Sequence, residues 1–372
     1  MKVIRTIESF YPCVSGPANQ AFKISESLYR KGIESPIFTT DFNVKNVKPI
    51  EYFGDVLVRR FNVKRKIMKY CFTPSMKKAF GDFDVVHSHN YRSYQTSLGY
   101  KMAKNRKKPF VINTHGNLLA YKNFNMGFLS KIPYYAYDFL TLKKVVKKAD
   151  MVIAATLQEY KEALEFGVKK ENLRIIPVGI NINEYEPAKK DSLMLNLLFV
   201  GRIARNRNLE PIIKAMKLLK DVKLTIVGGE IKSSETSKTG YVDELKKLAH
   251  GLNIEFTGPK YGKELINYYK KADIFVYTSF YENFGQTILE AGAAGLPIIA
   301  TKVGVANDIV KDDKTGFIVG PNNPKKIAEY VMELKDRKRR VIFGKRIREI
   351  VKKNFDWENI IEKYVEVYGL VR

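Results

Sequence analysis

"ADIFVYTSFYENFGQTILEAGAAGLPIIATKVG" occupies residues 272–304 and decides how the rest of the chain is read. An apolar run, "ADIFVYTS", is followed by "TILEAGAAG", a helical stretch whose small residues permit close packing on a sheet. A second apolar run, "PIIAT" (297–301), closes the unit. Strand, helix, strand is a βαβ unit, and its strands read as continuous Val/Ile-rich runs because both faces are covered. "FYENFGQ" is then the turn at a strand's carboxyl end, the edge at which open α/β sheets bind ligands. Glu282 falls in that turn and Glu290 on the helix. The amides of Asn283, Phe284, Gly285, Gln286 and Thr287 crown a helix N-terminus, which favours an anion. Carboxylates accept hydrogen bonds from hydroxyls. A ligand with hydroxyls at both ends and phosphate between them, such as a nucleoside diphosphate sugar, would satisfy all three groups.

The same alternation runs outward in both directions. Strand-length apolar runs fall at 2–10, 35–40, 56–61, 84–89, 109–116 and 151–156. A second series lies at 196–203, 222–229, 254–258, 273–279, 297–301 and 316–320. Helical patterns intervene, in the first half at about 18–31, 93–105, 133–148 and 157–166. This predicts an α/β protein of two doubly wound, Rossmann-like domains facing across a cleft. The expected domains are 1–180 and 181–354, joined through the Pro- and Asn-bearing segment 175–192. Residues 355–372, with the only Trp of the chain, form an amphipathic helix expected to pack back toward the N-terminal domain.

Composition narrows the function. At 372 residues the chain exceeds a usual single core. No apolar run reaches the roughly 18–20 residues of a membrane span, and the start lacks the apolar core of a signal peptide. Cys13 and Cys71 have neither metal nor disulfide spacing, so a cytoplasmic setting is expected. The formal net charge of +26 implies anionic partners. Basic runs concentrate in the first half, at 58–80, 101–109 and 142–148. Yet no nucleic-acid-binding motif accompanies them, and no nucleic acid is expected as partner. "FVGRIARNRNLEPIIKAM" (199–216) leads a strand into Arg202, Arg205 and Arg207, whose guanidinium forks suit phosphate oxygens.

Taken together, Glu282 and Glu290 in an E-x7-E arrangement, "AGAAGLPIIATKVG", "NDIVKDDKTGFIV" (307–319), "FVGRI" and "IEFTG" with "YYKKADIFVYTSF" resemble the retaining glycosyltransferases of family 4, with the two-Rossmann GT-B fold. The resemblance spans nearly the whole chain and is strongest over 196–320. It implies that Glu282 and the amides of Asn283 through Gln286 hold the transferred sugar and that Glu290 accepts hydrogen bonds from the ribose. It implies that Arg202 neutralises the departing diphosphate, with Arg207 as the second cation where the family usually has Lys. His115, in "INTHGN", aligns with a histidine beside the reacting sugar and phosphate. Gly16 stands where the family has a Gly pair, here followed by Pro17, and Val178-Gly179 replaces the usual Asn-Gly.

The implied reaction moves a sugar from a nucleotide donor to an acceptor hydroxyl with retention, by same-face attack, without metal or cofactor. The acceptor is expected to be a glycan or a lipid-linked glycan. The apolar stretch 118–140 and the basic runs suggest peripheral contact with the anionic inner face of a membrane. His87 and His89, at i and i+2 on one strand, could ligate a metal only with a third partner that the sequence does not supply; "DFD" (82–84) opens a strand, and "GPKYGKE" (258–264) lacks P-loop spacing. A sugar-nucleotide 2-epimerase of the same fold is the alternative enzyme, and a basic nucleic-acid-binding protein the alternative of another class.

Overall fold

The computed structural model describes residues 1–13, 15–42, 44, 46–67, 70–116, 118–119, 128–139, 143–187, 194–230 and 240–372. They form two units, residues 1–178 with 358–372, and residues 179–357.

The first unit contains β1 (Val3–Thr6), β2 (Ile37–Thr40), β3 (Ile50–Phe53), β4 (Val56–Phe61), β5 (Arg65–Ile67), β6 (Tyr70–Phe72), β7 (Val85–His89), β8 (Phe110–Asn113), β9 (Met151–Ala154) and β10 (Leu173–Ile175). Eight of them make one sheet in the order β10-β9-β8-β7-β1-β2-β4-β3. Only β3 runs antiparallel, as an edge. Every residue of β1, β2, β7, β8 and β9 is buried, which explains why each strand begins with apolar residues and why the polar ones that follow are buried too. The order reverses at β1, which has β2 on one side and β7 on the other.

The helix Gly16–Arg30 begins as its sequence demands. The Ser15 side chain accepts from the Ala18 amide, and Pro17 sits in the first turn. Its C-terminal counterpart, Trp357–Val371, buries Ile360, Ile361, Tyr364, Val367 and Tyr368. Two details differ from the sequence reading. The basic stretch 58–80 contains a hairpin, β5 with β6, whose Arg65-Lys66-Ile67 strand is exposed. The helix expected at 133–148 is instead Phe128–Tyr137 and Lys143–Lys147, and residues 140–142 lie outside the described set.

The second unit is wholly parallel: β11 (Leu195–Val200), β12 (Val222–Val227), β13 (Ile254–Gly258), β14 (Ile274–Tyr277), β15 (Ile298–Ala300) and β16 (Gly316–Ile318). The order is β13-β12-β11-β14-β15-β16, so the reversal lies between β11 and β14. At the ends of β11 and β12 the backbones nearly touch. Gly228 has φ +148°, and a Cβ there would collide with the Gly201 carbonyl oxygen. Both units are thus Rossmann-like, and the fold is GT-B. Each reversal point marks the crevice where such a sheet receives a ligand.

Candidate active site

In the second unit the loops after β11 and β14 are stitched together. The Phe280 amide donates to the Asn206 carbonyl at 3.0 Å, and the Ser279 hydroxyl to the same oxygen at 2.9 Å. Asn208, in the left-handed region at φ +52°, donates to the Thr278 carbonyl at 3.2 Å and receives the Thr278 hydroxyl at its own carbonyl, 2.5 Å away. This weave places Arg207 beside Glu282. The two form an ion pair while Arg207 also donates to Ser279 Oγ at 3.2 Å and the Tyr281 carbonyl at 3.0 Å. Tyr277 donates its hydroxyl to Glu282 from a ring stacked between Phe199 and Phe275. Burial and the Glu282 charge hold that phenol well above its ordinary range, so it stays neutral and keeps its proton directed at Glu282.

The turn itself is locked from the other side. Gly285 caps the helix Gln286–Ala293 in the left-handed conformation, φ +86°. The Val305 amide donates to the Phe284 carbonyl at 2.6 Å, and Gly304, at φ +47°, leaves no room for a Cβ against that same carbonyl. Asn283 is exposed and Phe284 buried. Tyr277 also bonds the Thr287 side chain, so one phenol spans from Glu282 to the first helical turn.

Glu290 lies a turn further along. It accepts from Tyr269 at 2.8 Å, from Tyr185, and from Gln286 in the turn above. Burial pushes its carboxyl up to about 7, against which the tyrosine and glutamine donors pull. Glu290 therefore stands ready as an acceptor whose charge changes near neutral pH. The arginines separate. Arg202 is exposed and, among the described residues, makes no ion pair or hydrogen bond. Arg205 points to Glu244, one terminal nitrogen donating to both carboxylate oxygens at 2.6 and 2.8 Å, and lies over Tyr241. It does not add to the charge at Glu282.

In the first unit the reversal point carries a cluster of three histidines. His115 follows β8 at φ +52° with Gly116 at φ +71°. Its Nε2 lies 2.9 Å from His89 Nδ1, and the rings stack at 5.2 Å. His87 stacks on His89 at 4.9 Å. Burial drives the His115 imidazole down to about 3. Burial first, then neighbouring positive charge, lowers His87 and His89 well below the ordinary histidine range. The third partner absent from the sequence reading of His87 and His89 is a cation, Arg5, whose protons occupy the nitrogen lone pairs that a metal would need. Gly16 is exposed at the start of its helix, with open space around it.

Sequence reasoning placed Glu282 and the 283–287 amides in the turn after one strand, Glu290 on the helix that follows, and Arg202 and Arg207 after the first strand of the second domain; the structure puts all of them on the segments that follow β11 and β14. It missed Tyr277, Tyr269, Tyr185 and Gly304, which hold those groups. Tyr277 was in plain view as the one polar tip of a buried strand, five residues before Glu282. It also missed Arg5, a charged residue in the middle of a fully buried strand.

Residues 184–350 match the family described as glycosyl transferases group 1, and residues 14–184 match glycosyltransferase family 4. The chain is 30% identical, over 77% of its length and 75% of the relative's, to an uncharacterized glycosyltransferase, MJ1069, of Methanocaldococcus jannaschii. Among solved structures it resembles sucrose-phosphate synthase of Thermosynechococcus elongatus, with TM-score 0.81, 20% identity and coverage of 99% and 98% of the two chains. It also resembles Anabaena HepE in complex with UDP-glucose, with TM-score 0.76, 17% identity and coverage of 99% of each chain.

Proposed function

This chain belongs to glycosyltransferase family 4 and is a glycosyltransferase; on that premise we propose that it moves a sugar from a nucleoside diphosphate sugar to an acceptor hydroxyl with retention at the anomeric carbon. The observation that carries the reading is the pairing of Arg207 with Glu282 at the mouth of the Gln286–Ala293 helix, with Glu290 on that helix. Charge builds on a diphosphate as the glycosidic bond breaks. Cations and helix-terminal amides aimed at that charge lower the barrier most when they are fixed beforehand. Arg207 is fixed by three partners, while Arg202, five residues earlier, has none among the described residues, a division between orienting the Glu282 carboxylate and meeting the phosphate. Glu282 holds the sugar hydroxyls and Glu290 the ribose hydroxyls. That a structural relative was solved with UDP-glucose supports a nucleotide sugar donor. The acceptor proton passes to a donor phosphate oxygen, and no metal or cofactor is required.

A thermal-shift panel of UDP, GDP, ADP, TDP and CMP, repeated on Arg202→Ala, tests the donor site. A nucleotide at about 100 times its Kd adds roughly 2.7 kcal/mol to the native state. Stabilisation of the wild type by one diphosphate, lost in the variant, is the expected result; no shift from any of them would overturn the reading.

A lipid-linked acceptor is supported by the exposed side chains of Ile132, Tyr135 and Phe139, three to four residues apart toward the end of the Phe128–Tyr137 helix and just beyond it; Phe139 is 88% exposed. Residues 120–127 and 140 of the same apolar stretch lie outside the described set. Beside them, Lys143, Lys144, Lys147 and Lys148 are exposed. An apolar edge with lysines suits the anionic inner face of a membrane. Cosedimentation with phosphatidylserine vesicles at low salt, lost at high salt or in Phe139→Ser, is expected.

A further inference from the structure

We propose that Arg5 is a positioning residue that, acting through His89, fixes His115 as a hydrogen-bond donor and denies it the role of a base. Arg5 is fully buried in β1, and all five of its N–H groups are engaged. Nε donates to Ser25 Oγ at 3.0 Å, one terminal nitrogen donates to His87 Nδ1 at 2.9 Å and His89 Nε2 at 3.0 Å, and the other donates to Ser35 Oγ and the Tyr368 hydroxyl, both at 3.2 Å. Among the described residues no carboxylate pairs with it.

A guanidinium has no lone pair to offer and keeps its charge at any pH a folded protein meets. Each histidine nitrogen facing it must therefore be bare. His87, bare at Nδ1, carries its proton on Nε2 and donates to Asn113 Oδ1 at 2.7 Å; the Asn113 amide in turn donates to the Tyr364 hydroxyl at 2.9 Å. His89, bare at Nε2, carries its proton on Nδ1 and donates to His115 Nε2 at 2.9 Å. That leaves His115 bare at Nε2 and protonated at Nδ1. A second proton on any of the three rings would face either the guanidinium or another N–H. The downward shift of all three imidazoles agrees with this. His115 thus meets a neighbouring oxygen as a donor. On the proposed glycosyl transfer, and with His115 beside the transferred sugar as the family resemblance implies, it stabilises oxygen there and cannot take the acceptor's proton.

The chain has four histidines, so labelling histidine alone with nitrogen-15 gives a spectrum that His→Gln variants assign. Long-range nitrogen–proton correlations on the full chain at pH 7, without substrate, are expected to show a protonated Nδ1 and a bare Nε2 at His89 and His115, and the reverse at His87. A protonated Nε2 or a charged ring at His115 would overturn the relay. His89→Gln preserves its polarity, since an amide oxygen accepts from Arg5 and the amide nitrogen donates to His115; His89→Leu abolishes it. The expected outcome is an unchanged His115 tautomer and near wild-type kcat in the Gln variant. In the Leu variant we expect a mixed tautomer and kcat lower by about 10–100-fold, as when a histidine loses its orienting partner at a metal site, with little change in KM for the donor. Should Leu disrupt the fold, the Gln variant still decides: a His115 tautomer that switches there would overturn the relay. A tautomer that follows the scheme while kcat ignores it would instead sink the reading of His115 as a reaction-site residue.

Discussion

Each unit buries an arginine at the reversal point of its sheet, and the two are satisfied in opposite ways. Arg207, at the end of the turn after β11, meets the carboxylate of Glu282. Arg5, within β1, meets hydroxyls and imidazoles alone. In the first case the charges cancel locally, and the geometry of a carboxylate is what the arginine secures. In the second the charge is left standing, and the positions of its neighbours' protons are what it secures. One buried guanidinium orients an acid; the other sets tautomers.

The comparison breaks most easily at Glu282. Glu282→Ala removes the group assigned to the sugar and leaves Arg207, of which only 9% of the side chain is exposed, without its counter-charge. Turnover is expected to fall by at least about 100-fold, the scale on which a group aimed at the transition state acts. Stability is expected to fall by about 3–5 kcal/mol, because an uncompensated buried charge remains. The double variant Glu282→Leu with Arg207→Met should recover most of that stability and none of the activity. Urea titration and single-turnover kinetics separate the two effects. If the double variant is as unstable as the single, the pair does not behave as the coupled unit described here.

The same contrast explains what the sequence could disclose. The second unit was legible because its chemistry is local: strand, turn and helix follow one another within 272–304, and Glu282, the amides and Glu290 sit on that one segment. The arginines of 202–207 follow the adjacent strand, β11, so topology alone brings them near. What was not legible is the choice among them. Arg205 and Arg207 differ by two positions in one turn, and only the three-dimensional weave at Asn206 and Asn208 sends one to Glu244 and the other to Glu282. The first unit's cluster is assembled from strands more than 80 residues apart and from tyrosines of the C-terminal helix. Local spacing offered only "HSH", which suggests a metal when its true neighbour is out of view.

Glu290 sharpens the comparison, since it is an acid in the second unit that no cation pairs with among the described residues. Its carboxyl, raised by burial to about 7, makes two pH effects run in opposite directions. The folded state binds this proton more tightly than the unfolded chain does. The stability it contributes is therefore complete below the unfolded value near 4.5 and is lost as pH rises through about 7. Glu290→Gln should flatten that slope, leaving the variant the more stable of the two above pH 7. Donor binding runs the other way, because the ionised carboxylate is the better acceptor for ribose hydroxyls. Affinity for the nucleotide should rise with pH through 7 in the wild type and stay flat and low in Glu290→Gln. A lost charge-assisted hydrogen bond of about 1.5–3 kcal/mol gives a gap of roughly 10–150-fold at pH 8. Calorimetric titration across pH 5.5–8.5 would show both slopes, and equal affinities at pH 8 would remove Glu290 from the donor site.

The smallest effect belongs to Arg205, the member of the triplet that is exposed and paired with Glu244. It shares a turn and a charge with Arg207, so a picture in which positive charge simply accumulates at the sheet edge makes the two comparable. The geometry separates them, because one terminal nitrogen of Arg205 is held by both Glu244 oxygens and its face lies over Tyr241. An exposed pair of this kind contributes little, and salt screens it. Arg205→Ala should change kcat/KM for the donor by no more than about twofold, with no change in its salt dependence. A loss approaching that of Arg207→Ala would show that net charge, not the buried pairing with Glu282, is what the site requires, and the contrast between a guanidinium that orients and one that merely decorates would collapse.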